Sequence, residues 1–101
     1  MSVTIKEEDV ISVLGSESRK KILRHLRERK TYAATTSEIA EKTGIDRGQV
    51  SFHCNKLFER GLVDKKVVDG KAHWKITPEG LSAIEEADKR EKERSAGRKS
   101  E

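Results

Sequence analysis

Cysteine and proline each occur once in these 101 residues, as Cys54 and Pro78, and glutamine and asparagine also occur once each, as Gln49 and Asn55. A single cysteine cannot close an internal disulfide, which excludes a disulfide-stapled scaffold. One Gln and one Asn beside abundant Lys and Glu point toward a thermophilic source. Aromatic residues are scarce, with two Phe, one Tyr and one Trp, and only 33% of the chain is hydrophobic. A domain of this size then has a thin core of its own, which a second copy of the chain would relieve. No apolar run is long enough to span a bilayer and no secretory signal is present, so the expected location is the cytoplasm, with no membrane partner. No nucleophile stands with a base, no paired acids mark a cleft, and no glycine-rich loop could cradle a phosphate. Catalytic residues are therefore expected to be none, cofactors none, and the chain not an enzyme.

Charge is what the sequence has in abundance. Charged residues make up 40% of the chain and the net charge is +4. That total says little, because most charges on a small protein are solvated faces. Their distribution says more: residues 1–18 hold one Lys against four acids, residues 19–75 hold fifteen Lys or Arg against seven acids, and residues 76–101 hold six against seven. The positive excess is concentrated in the middle of the chain, as expected of a surface that meets duplex DNA and releases its condensed counterions.

That middle region contains TSEIAEKTGIDRGQVSFHCNKLFERGLV, residues 36–63. Ser37 is expected to cap a helix of about two turns carrying Glu38, Ile39 and Ala40, and Gly44 to end it in the left-handed conformation. Asp46 with Gln49 three residues later has the capping-box pattern, ahead of Val50, Cys54 and Leu57 at helical spacing. The second helix is expected over Arg47–Arg60, with Gly61 as its stop. Two helices joined by a glycine turn have the layout of a helix-turn-helix. LVDKKVV and AHWKIT read as strands joined by Asp69-Gly70, a pair suited to a tight hairpin turn. Upstream, Thr4 with Glu7 starts a helix with an apolar stripe of Ile5, Val10, Ile11 and Leu14, and Ser16 caps a longer one that buries Ile22, Leu23 and Leu26. Downstream, Thr77 and Pro78 open a last helix with Leu81, Ile84 and Ala87 on one side. The predicted fold is mainly α with a small β-hairpin (α+β), a winged helix-turn-helix in the order α-α-α-α-β-β-α. Residues 1–87 form the domain. Residues 88–101, DKREKERSAGRKSE, are expected to fray into a charged, disordered tail.

LGSESRKKILRHL at 14–26, SEIAEKTGI at 37–45, VSFHCNKLFERGLV at 50–63 and the Thr77-Pro78-Glu79-Gly80 start of the last helix resemble the winged helix-turn-helix regulators of bacteria and archaea, in particular the ArsR-like branch. The resemblance covers roughly residues 5–87. It implies a sequence-specific, double-stranded DNA-binding transcriptional regulator, a repressor acting as a homodimer through the first helix and the last, with Ile5, Val10, Ile11, Leu14, Leu81 and Ile84 at the dimer interface. One departure matters: residues 37–43 hold no cysteine or histidine, where metal-sensing members carry their ligands. No metal site is expected, and neither a small-molecule nor a metal effector. Cys54 falls among core positions, and His25, His53 and His73 lie on different elements.

At about 100° per residue, the helix face opposite Val50, Cys54 and Leu57 carries Gly48, Gln49, Phe52, Asn55, Lys56 and Glu59, with Ser51 at one flank, and Gln49, Ser51, Phe52, Asn55 and Lys56 are the expected base-reading set. Gln and Asn can pair with adenine, Lys with guanine, and Phe can touch a thymine methyl group or fold back onto the wing or the first helix. Ser37, Arg47, Arg60, Lys65, Lys66, Lys71 and Lys75 are expected at the DNA backbone. His53, at the border of the core stripe, can instead bond to a neighbouring helix, and Trp74 is expected to pack in the core. Two other readings stay open: a winged-helix module for protein contacts, favoured by the exposed Phe52, and a redox- or metal-responsive regulator, resting on Cys54.

Overall fold

The computed structural model describes residues 16–99, and side chains as far as Glu93. Thr4, Glu7 and the apolar residues Ile5, Val10, Ile11 and Leu14 lie outside the described residues. Within them the order is α1 Glu17–Glu28, β1 Ala33–Thr35, α2 Thr36–Thr43, α3 Arg47–Glu59, β2 Val63–Val68, β3 Lys71–Ile76 and α4 Pro78–Lys99. None of the described helices is long and apolar enough to cross a membrane.

Ser16 caps α1 by accepting from the Arg19 amide, and Ile22, Leu23 and Leu26 are fully buried, as their spacing predicts. The strand β1 was not foreseen. It pairs antiparallel with β3, Ala34 opposite Trp74, and makes the sheet three-stranded in the order β1-β3-β2. Tyr32, at φ 59°, turns the chain into it, and the Tyr32 carbonyl accepts from the Ile76 amide at 2.9 Å. The same strand moves the next cap: Thr35, not Ser37, accepts from the Glu38 amide at 3.1 Å, and Ser37 stands exposed inside the first turn of α2.

Gly44 ends α2 at φ 76°, and the turn is stapled by Thr43, whose hydroxyl donates to the Ile39 carbonyl and accepts from the Ile45 amide. Asp46 caps α3, but on the amide of Gly48 rather than that of Gln49. At its far end Leu62 N–H donates to Leu57 C=O and Gly61 N–H to Phe58 C=O, the paired bonds of a Schellman cap, with Gly61 at φ 75°. Arg60 is the cap residue rather than the last helical one.

Asp69 and Gly70 both take positive φ, 52° and 74°, as a two-residue type I′ hairpin requires. The return of the wing is fixed by Thr77. Its hydroxyl donates to Gly61 C=O at 2.8 Å and accepts from Gly80 N–H at 3.0 Å, so one side chain joins the end of α3 to the start of α4. Gly80 allows that approach, because a Cβ there would lie 2.1 Å from the Leu62 carbonyl oxygen.

Ile84 is fully buried within a single chain, in the same core as Ile22, Val50 and Trp74, so it is not a dimer contact. Helical spacing placed it on an apolar side correctly, but that side closes the chain's own core. Leu81 and Ala87 are half-buried against it. The charged stretch from residue 88 is helical as far as Lys99, and its first turns are tied to α1. Asp88 receives Arg24 at 2.6 Å and Arg27 at 3.0 Å, and Glu91 pairs with Lys20. Burial raises the Asp88 carboxyl's pKa, but the bonds from Arg24 and Arg27 outweigh it and hold the group below its ordinary range.

Candidate nucleic-acid interface

The recognition-helix position is taken by α3, whose three inward side chains are fully buried: Val50, Cys54 and Leu57. Burial pushes the Cys54 thiol up to about 12, which keeps it protonated and unreactive near neutral pH. No three of His, Cys, Asp and Glu come together as metal ligands among the described residues. His25 Nε2 lies 3.1 Å from Glu38 Oε2, joining α1 to α2. His53 accepts through Nδ1 from Arg19 Nε at 3.1 Å, the contact to a neighbouring helix that its border position allows. Burial first, and then the Arg19 charge, hold its imidazole below the ordinary value of 6.5.

Where α2 and α3 begin, both face an open groove of about 500 Å³ whose third wall is the wing tip. Thr35, the cap of α2, lines it with Thr36 and Ser37 of α2, Arg47, Gly48 and Ser51 of α3, and Gly70, Lys71 and Ala72 of the hairpin. No carboxylate lines it. Two helix N-termini turn the positive ends of their dipoles toward it, each with one amide already capped, by Thr35 on α2 and by Asp46 on α3, so with Arg47 and Lys71 the groove attracts an anion such as a phosphate. Its shape is held from beneath by Trp74, which is buried and donates from Nε1 to Thr36 Oγ1 at 2.8 Å. Thr35, Thr36, Gly70 and Ala72 were not anticipated here. Thr35 and Thr36 were legible only as capping types, and nothing local in the sequence told them from Ser37.

The structure separates the remaining candidate residues. Gln49 is exposed at the groove end of α3, and Phe52 is 51% exposed. Lys56 holds its ammonium 5.6 Å from the Phe52 ring centroid. Asn55 is less available, since its amide donates to the Ser51 carbonyl one turn back at 2.9 Å. In the wing, strand alternation splits the lysines. Lys65 faces inward over the Trp74 ring at 5.2 Å, whereas Lys66 and Lys75 lie on the opposite face of the hairpin. The Arg60 Nε is buried without a partner among the described residues, so this guanidinium is turned partly into the protein.

Comparison with known proteins places this geometry. Sco5413, a MarR family transcriptional regulator from Streptomyces coelicolor, is 26% identical with a TM-score of 0.70, over 79% of this chain and 57% of that one. Sco3205, a MarR family regulator from the same organism solved in complex with DNA, is 18% identical with a TM-score of 0.66, over 78% and 54%. The YusO protein from Bacillus subtilis is 18% identical with a TM-score of 0.74, over 89% and 67%. The chain thus spans somewhat more than half the length of the two Streptomyces regulators, and it shares the winged-helix fold with all three. No curated protein matches the sequence. Residues 14–66, from α1 through the first strand of the wing, match the family described as a helix-turn-helix domain, and the chain belongs to that family.

Proposed function

We propose that this chain is a regulator of transcription that binds double-stranded DNA in a sequence-specific way as a homodimer, acting as a repressor, with no catalytic role. The observation that carries this reading is the groove where the starts of α2 and α3 meet the wing tip, cationic and free of carboxylates, beside the outward side of α3. A phosphate in that groove sets α3 against the base edges of the adjoining major groove, with Gln49, Phe52 and Lys56 foremost and Asn55 behind them. Ser37, Arg47 and Lys71 then take the DNA backbone near the turn, Lys66 and Lys75 farther along the wing. Lys65, held over the Trp74 ring, and Arg60, turned partly into the protein with a buried Nε, take smaller parts.

The regulator is read as MarR-like rather than ArsR-like. The two Streptomyces regulators among the structural neighbours above are MarR family proteins, and the sensor cysteines of the other branch are missing. The dimer contact is assigned to residues 5–14 with the partly exposed side of α4 near Leu81, since Ile84 is occupied in the core. Selection of bound sites from random duplex DNA at defined salt tests the reading: enrichment of an inverted repeat with half-sites about one helical turn apart is expected. Uniform recovery of all sequences contradicts it and favours the module for protein contacts.

A further inference from the structure

Phe52 is the largest apolar group on the outward side of α3, 51% exposed and outside the hydrophobic core formed by the described residues. Its neighbours are polar: His53 meets the ring edge at a centroid distance of 5.3 Å and 69° between planes, and Lys56 places Nζ 5.6 Å from the ring centre. That ammonium is within cation–π range, so it steadies the ring one turn away on the same side of the helix. The other exposed ring of α3, Phe58, lies about 120° round the helix and does not join Phe52 in one patch. A lone ring bordered by an ammonium and an imidazole is a poor protein-docking surface, which needs a contiguous apolar area of a few hundred Å². In the major groove one apolar group is on offer at the base edges, the C5 methyl of a pyrimidine, and the acceptors that suit an ammonium beside it are guanine O6 and N7.

We propose that Phe52 and Lys56 form a composite reader of a 5-methylpyrimidine next to a guanine. The Phe52 ring covers the C5 methyl group, and Lys56, already held over the ring, donates to the guanine of the neighbouring base pair. This deepens the DNA-binding reading and rests on it.

The test uses the duplex obtained by site selection, with each thymine replaced in turn by deoxyuridine, which removes only the methyl group. One thymine per half-site should be sensitive, with affinity falling about fourfold, the effect of one buried methyl group. Phe52→Ala should bind the thymine and deoxyuridine duplexes equally. If the methyl belongs to 5-methylcytosine instead, methylating a cytosine should raise affinity by a similar factor, again only with Phe52 present. Replacing the adjacent guanine by 7-deazaguanine should weaken the wild type and leave Lys56→Ala unaffected. Indifference of the wild type to every methyl change, or a methyl effect that persists in Phe52→Ala, overturns the reader while leaving DNA binding intact. Failure to enrich any sequence overturns the DNA reading and the reader with it.

Discussion

Gln49 and Asn55 are the only side-chain amides in the chain, and both stand on α3, yet they are not equivalent. Gln49 is exposed and free to pair with a base, whereas Asn55 already gives its amide to the Ser51 carbonyl. Gln49→Ala should relax preference at one base pair by roughly 1–3 kcal/mol, and Asn55→Ala by less than half of that, measured as binding to single-base variants of the selected site. Helical spacing put both on the outward side but could not show that one was already engaged, because a backbone bond one turn back has no pattern of its own. His53 carries a prediction of another kind. Its folded-state affinity for protons is depressed by burial and by Arg19, so protonation favours the unfolded chain. Stability from this group is present above the ordinary value of 6.5 and is lost as pH falls below it. Melting temperature should therefore drop between pH 7 and pH 5 more steeply in the wild type than in His53→Gln. Asp88 has its window lower, as pH falls through the usual carboxylate range, which keeps the two effects apart.

At the scale of elements, the sequence was most readable where one residue type has one mechanical use. Ser16, Asp46 and Thr77 as caps, Gly44 and Gly61 as left-handed stops and Asp69-Gly70 as the hairpin turn all stand where their chemistry puts them. The strand β1 could not be read that way. Ala33-Ala34-Thr35 has no alternation and little intrinsic preference for a strand, and it is extended because β3 offers it an edge 40 residues later in the chain. Three capping residues in a row, Thr35, Thr36 and Ser37, also left the start of α2 undecided until that pairing fixed Thr35. Gly80 shows the converse, a residue legible as a family motif whose reason lies in packing. Gly80→Ala must push apart α4 and the Leu62 backbone, and should destabilise the fold by about 2 kcal/mol or more in thermal or urea unfolding, although alanine is the better helix former.

At the scale of the molecule, the apolar stripe of α4 was read correctly as a stripe, but its Ile84 was wrongly read as a dimer contact. Periodicity states which side of a helix is apolar and is silent on whether the covering surface comes from the same chain. Ile84 closes this chain's own core, and the charges beyond it serve the same packing, since Asp88 and Glu91 hold α4 to Arg24, Arg27 and Lys20 of α1. The acids of the C-terminal stretch thereby take up part of the positive charge of α1, while the cations facing the groove between α2, α3 and the wing stay unmatched by any carboxylate in its walls. That asymmetry is what a DNA-binding side requires, and it is the feature that charge counting along the chain pointed to without locating. The most direct measurement is the salt dependence of affinity for the selected duplex, compared between the wild type and the Arg47→Ala, Lys71→Ala double variant. If the groove holds DNA phosphate, the double variant should bind every duplex more weakly, and its log–log slope against salt should be shallower by about 0.9 for each phosphate contact removed. An unchanged slope and affinity would contradict the placement of DNA on this surface.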